Sequence, residues 1–182
     1  MHSDTISLVL VRHAEAAGVT SGAPHDGERP LTSRGTDDAR VVGRLLARLE
    51  RPPALILTSS LRRAVQTGEL IGSAFPAPVR CAINMALEPG FRNGDLLEEL
   101  LVLRRAGEQS IVAVGHQPDV GSFIGFLIAG SAPTSVAMAP GTAARLTMRA
   151  TGGRPEAVLH WLMPPSAMHA LLASPPLPPE RT

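Results

Sequence analysis

Arg12 and His13 stand at the end of LVLV, residues 8–11, an apolar run without alternation. Such a run suits a strand buried on both faces, as in a parallel sheet covered by helices. In sheets of that kind ligands bind at the carboxyl ends of the strands. A guanidinium and an imidazole delivered there can hold an anion and attack it. Alone, the pair is also what an ordinary strand end at the surface looks like, so the remaining chain has to decide.

The design recurs twice. The short apolar run 54–57, ALIL, leads through Thr58, Ser59 and Ser60 into a predicted helix whose first turn carries Arg62 and Arg63. Two cations oppose the macrodipole at a helix start, and a bound anion would give them a reason to be there. The run 111–114, IVAV, ends at Gly115 and His116. Pro118 then fits the first helical position, where its missing N–H costs nothing. Side by side, these strand ends would surround one spot with Arg12, His13, Arg63 and His116. That set fits a phosphoryl group: arginine forks match its oxygens, and stabilising its charge is most of what phosphoryl transfer requires. One histidine can then act as nucleophile, kept neutral by the arginines, with no metal required.

The elements that must position these residues follow in order. A strand is expected at about 6–12, then a loop at 17–31, long enough to suggest a function. A helix capped by Thr32 or Ser33 comes next, with Ala39, Val42, Leu46 and Leu49 on its apolar stripe. Arg40, Arg44, Arg48 and Arg51 form its solvated face, and Pro52 and Pro53 stop it. The helix after Ser60 has Leu61, Val65, Leu70 and Ile71 as its stripe. A third strand is expected at 79–83, irregular chain at 84–95 and a helix at 96–105. Alternating runs near 134–138, 143–148 and 157–163 suggest further strands. The expected architecture is α/β, three layers with a mostly parallel central sheet, in one domain spanning residues 1–163. Residues 164–182 hold six of the 17 prolines and read as a peripheral, extended tail with a helical turn at 167–173.

Composition narrows the chemistry. The 182 residues suit one domain with a proper core, and a net charge of +1 suggests neither nucleic acid nor an anionic membrane as partner. All 17 basic residues are arginine. Without lysine, neither a phosphate loop of the GxxxxGK[ST] kind nor a Schiff-base enzyme is available. Cys81 is the single cysteine, so no intrachain disulfide forms. A thiol phosphatase loop would need arginine six positions on, where Leu87 stands, and Cys81 is read as a small core residue. The start, MHSDTISLVLV, has no basic leader, so a cytoplasmic location is expected.

RH at the end of the first strand, RPLTSRG at 29–35, SSLRRAVQT at 59–67 and GHQPDVG at 115–121 together resemble the histidine phosphatase superfamily, also called phosphoglycerate-mutase-like. The RPLT and GHQP wording is similar to its small bacterial branch, the SixA-like phosphohistidine phosphatases. The resemblance covers about residues 6–163. It implies a phosphoglycerate-mutase-like fold without cofactor, with His13 as the phosphorylated nucleophile and Arg12, Arg63 and His116 binding the phosphoryl oxygens. Arg63, not Arg62, takes the family position because it precedes Ala64 in the RAxQT pattern. The family's RHG is here RHA, so the backbone at Ala14 must avoid conformations that only glycine likes. For the general acid Glu88, in LEPG, is the nearest candidate and Asp26, in the long loop, the second. The expected partner is a phosphohistidine protein or a small phosphate ester.

Three other readings compete. A mutase or small-molecule phosphatase of the same fold is the nearest, and a mutase would need segments enclosing a sugar phosphate for which the chain has little room. A non-catalytic phosphate or phosphopeptide binder needs no neutral nucleophilic histidine. A metal hydrolase lacks support in scattered histidines without HExxH.

Overall fold

The computed structural model describes residues 5–19, 25–77, 79–130, 134–149 and 156–174. Its strands are β1 (Thr5–Arg12), β2 (Leu55–Thr58), β3 (Cys81–Ile83), β4 (Ser110–Gly115), β5 (Ala143–Arg149) and β6 (Glu156–Met163). Its helices are α1 (Ser33–Leu49), α2 (Arg62–Gly72), α3 (Asn93–Arg105), α4 (Asp119–Ala129) and α5 (Pro165–Ala173). The six strands form one sheet in the order β3-β2-β4-β1-β5-β6. β1, β2, β3 and β4 are mutually parallel, while β5 pairs antiparallel with both β1 and β6.

The period-two geometry of a strand explains why its apolar runs do not alternate with polar residues. In β1, Ile6, Leu8 and Leu10 enter one core with Leu96 and Leu100 of α3 and Phe123, Ile124 and Leu127 of α4. Val9 and Val11 enter the other core with Val42, Leu45 and Leu46 of α1 and Ile71 of α2. Both faces are therefore covered, as the run predicts.

Helix boundaries follow local chemistry. Thr32 caps α1, its hydroxyl accepting from Gly35 N–H at 2.9 Å, and Arg40, Arg44, Arg48 and Arg51 are exposed. The stripe expected for α2 is only partly right. Its buried residues are Arg63, Ala64, Thr67, Gly68, Ile71 and Gly72. Small residues face the sheet because the helix lies so close that a Cβ on Gly68 would sit 2.6 Å from Thr58 Cγ2.

Other expectations need correction. Residues 134–138 form no strand. The segment instead lies along α4, with Val136 N–H donating to Gly121 O at 3.1 Å, so its backbone pairs with a helix rather than the sheet. Cys81 is exposed, not a core residue, because β3 is a short edge strand. Pro118 precedes the first helical residue, Asp119, instead of occupying that position.

The C-terminal segment packs better than its prolines suggest. In α5, Met168 is fully buried in the core beneath α1, and His169 Nε2 lies 2.9 Å from Asp38 Oδ1. The rest of the expected tail, 175–182, lies outside the described residues. Truncating a buried methionine typically costs about 2–5 kcal/mol, so Met168→Ala is expected to lower stability by at least about 2 kcal/mol in urea denaturation. A loss below about 0.5 kcal/mol would mean that α5 is not part of the core.

Candidate active site

Parallel register brings the strand ends to one level. Arg12 of β1 is opposite Gly115 of β4, and Thr58 of β2 is opposite Val114 of β4. The ladder continues one residue further, His13 N–H donating to Gly115 O at 3.0 Å and Ser59 N–H to Val114 O at 3.3 Å. His13, Ser59 and His116 thus leave three neighbouring strands together. The rings of His13 and His116 are 5.0 Å apart between centroids, and Arg63 Nε lies 3.3 Å from His13 Nε2. The sequence-predicted quartet of Arg12, His13, Arg63 and His116 is brought together.

Each member is held by a specific contact. Arg12 Nη1 donates to Met138 O at 2.6 Å, so the irregular segment before β5 anchors the guanidinium. Behind it Gly141, at φ +76°, donates its N–H to the carbonyls of Arg12 and His13. A Cβ there would stand 2.8 Å from Pro165 Cγ and 3.9 Å from Ala14 Cα, so the position needs glycine for conformation and for space. Ala14 is buried, and no residue other than glycine has positive φ among those described. Alanine therefore fits the RHA position without strain. Its N–H donates to Thr67 Oγ1 at 3.1 Å, and that hydroxyl donates to Arg63 O at 2.7 Å. One buried threonine ties the turn after β1 to the first turn of α2.

His13 Nδ1 is 2.8 Å from Ala14 O. A carbonyl only accepts, so Nδ1 carries the proton and Nε2 keeps its lone pair. Burial, aided by the charges of Arg63, Arg12 and Arg29 and opposed by the Ala14 hydrogen bond, pulls His13 from 6.5 to about 4. His116 falls to about 3, from burial first and then from His13, Arg63 and Arg12. Both rings are neutral at physiological pH. His116 Nδ1 and Arg12 Nε are buried without a hydrogen-bond partner among the described residues.

The two carboxyl candidates are placed differently. Asp26 reaches the quartet: its Oδ2 accepts from Arg63 Nη2 at 3.0 Å and its Oδ1 from Arg29 Nη1 at 2.7 Å. These hydrogen bonds, that of Arg29 foremost, hold its carboxyl below the usual range, so it is ionised. Glu88 Oε1 accepts from Ser60 N–H at 2.6 Å. That contact puts a carboxyl oxygen at the start of α2, beside the exposed backbone N–H of Ser60. Arg62 is exposed.

Sequence reasoning assigned no role to Arg29, Ser59 or Thr67. Arg29 lies in the quoted RPLTSRG and Ser59 and Thr67 in SSLRRAVQT, so motif membership was their only signal. Their contacts depend on how the loop and α2 fold back on β1.

The geometry sets two neutral histidines among arginines at the strand ends of an α/β sheet. Residues 8–87 match the model of the histidine phosphatase superfamily (branch 1). The chain is 36% identical over 118 residues, 65% of its length and 70% of the relative's, to an uncharacterized protein of Picosynechococcus. It is 29% identical over 128 residues, 70% of its length and 78% of the relative's, to the phosphohistidine phosphatase SixA of Escherichia coli. The solved structure of the protein histidine phosphatase SixA complexed with tungstate superposes with a TM-score of 0.79 at 26% identity, covering 90% of this chain and 99% of that one. The chain belongs to the histidine phosphatase superfamily, as a SixA-like phosphatase with the phosphoglycerate-mutase-like fold.

Because the unfolded chain takes up histidine protons near pH 6.5 and the folded one only near 4 or 3, these groups lower stability as pH falls through that interval and leave it unchanged above. In an NMR titration the ring CH signals of His13 and His116 should hold constant from about pH 5.5 to 8. A midpoint near 6.5 for either ring would contradict the site electrostatics.

Proposed function

We propose that this phosphatase acts on protein phosphohistidine, through a phosphoryl group carried on His13 Nε2. In the first step His13 Nε2 attacks phosphorus and the bond from phosphorus to the leaving nitrogen breaks. In the second, the oxygen of water attacks phosphorus as the bond from phosphorus to His13 Nε2 breaks, its electron pair returning to Nε2, which restores the neutral ring and releases phosphate with the protons of the water. Arg12 and Arg63 hold the phosphoryl oxygens, and His116 donates to them.

The substrate class rests on the state of the carboxyls. Asp26 is ionised between two arginines, and Glu88 accepts a backbone N–H. Asp26, the carboxyl that reaches Arg63, therefore has no proton for a leaving group, and Glu88 is engaged with the Ser60 backbone. An alkoxide needs that proton, and general acid catalysis is worth about 10²–10⁴-fold. An imidazole leaving a phosphoramidate already carries its own. The likeness to SixA supports the same choice. No helix among the described residues is long and apolar enough to cross a membrane, and the reading places the enzyme in a bacterial cytoplasm, as its two relatives are bacterial. It takes residues 1–163 as the catalytic domain, buttressed by α5.

The test compares a phosphohistidine peptide with an alkyl phosphate in the presence of chelator. kcat/KM should favour the peptide by at least about 100-fold, and His13→Ala should abolish turnover of both. Equal or better use of the ester would replace this reading with a small-molecule phosphatase, and full activity of His13→Ala would remove the nucleophile.

A further inference from the structure

Ser59 is fully buried at the end of β2, with Oγ 2.7 Å from His116 Nε2 and 3.4 Å from Leu61 N, whose N–H it accepts. Its hydroxyl has one hydrogen to place. If His116 carried its proton on Nε2, that proton would go to Ser59. The serine hydrogen would then be left over, and His116 Nδ1 would be a buried lone pair without a donor, beside three arginines' worth of site built for oxygen anions. If Ser59 instead donates to Nε2, the hydroxyl is fully used, accepting from Leu61 and donating to His116. A single group then remains unpaired, Nδ1–H, and a phosphoryl oxygen is the acceptor it lacks.

We propose that Ser59 is a positioning residue that locks His116 as the Nδ1–H tautomer, making it a hydrogen-bond donor to the phosphoryl group. The inference deepens the phosphatase reading and rests on it for the identity of the acceptor. It matters because the ring is neutral: an imidazolium would donate from both nitrogens whatever Ser59 did, whereas a neutral ring has one proton. The wrong tautomer would aim a lone pair at an oxygen anion. Ser59 touches only the far side of the ring, so it acts through His116.

The direct test is ¹⁵N NMR of histidine-labelled protein, which reads the protonated ring nitrogen without any turnover. Wild type should show His116 protonated on Nδ1 alone. Ser59→Ala should show a mixed or reversed tautomer, and Ser59→Thr, which keeps the hydroxyl, the wild-type pattern. With the phosphohistidine peptide, Ser59→Ala should lose about tenfold to a hundredfold in kcat, the worth of one hydrogen bond to a charged group, with KM changed much less. Orthophosphate, used as the bound probe, should move the Nδ1–H signal of wild type. A wild-type ring protonated on Nε2, or an unchanged Nδ1–H tautomer in Ser59→Ala, would overturn the proposal. Absence of turnover in wild type would overturn the phosphatase reading instead, leaving the tautomer spectra to decide this one.

Discussion

The site depends on the register of three parallel strands. Hydrogen bonds from His13 N–H to Gly115 O and from Ser59 N–H to Val114 O stop β1, β4 and β2 at one level. A slip of one residue in any of them would turn its terminal side chain to the opposite face. The apolar runs secure the register from both sides, since each strand sends alternate residues into separate cores. Packing far from the chemistry thereby sets the 5.0 Å between the two imidazoles.

Burial of two histidines, reinforced by the guanidinium groups around them, makes protonation of either ring unfavourable, and the Ala14 carbonyl leaves the lone pair of His13 on Nε2. In the same positive field Asp26 spans Arg63 and Arg29. A phosphoryl group bound by Arg63, as proposed, would displace that carboxylate from the fork or share the fork with it. The long loop is therefore part of the site's charge balance as well as its wall.

Much of this was legible in the sequence, for physical reasons. Unalternated apolar runs ending in Arg12–His13 and Gly115–His116, and in the turn before Arg63, announced buried strands with polar ends. Cations at the start of α2 were a visible conflict with the helix dipole. Strand order was not legible, because long-range pairing decides it. Cys81 misled because a short edge strand exposes what composition would bury. The prolines after α5 masked Met168, whose burial depends on a docking partner, α1, far away in sequence. The segment 134–138 alternated like a strand but packs against the glycine face of α4. Asp26 and Ser59 were the hardest to read: both act through contacts between segments that no spacing rule connects.

The central claim is that His13 Nε2 becomes covalently phosphorylated. Mixing the protein with a small phosphoramidate, quenching rapidly and locating the phosphoryl group by mass spectrometry tests it directly. The account predicts an acid-labile phosphoryl group on His13 that appears before phosphate is released and is absent in His13→Ala. Phosphate release with no phosphorylated protein at any quench time, or a phosphoryl group on His116 or Ser59 in its place, would contradict it.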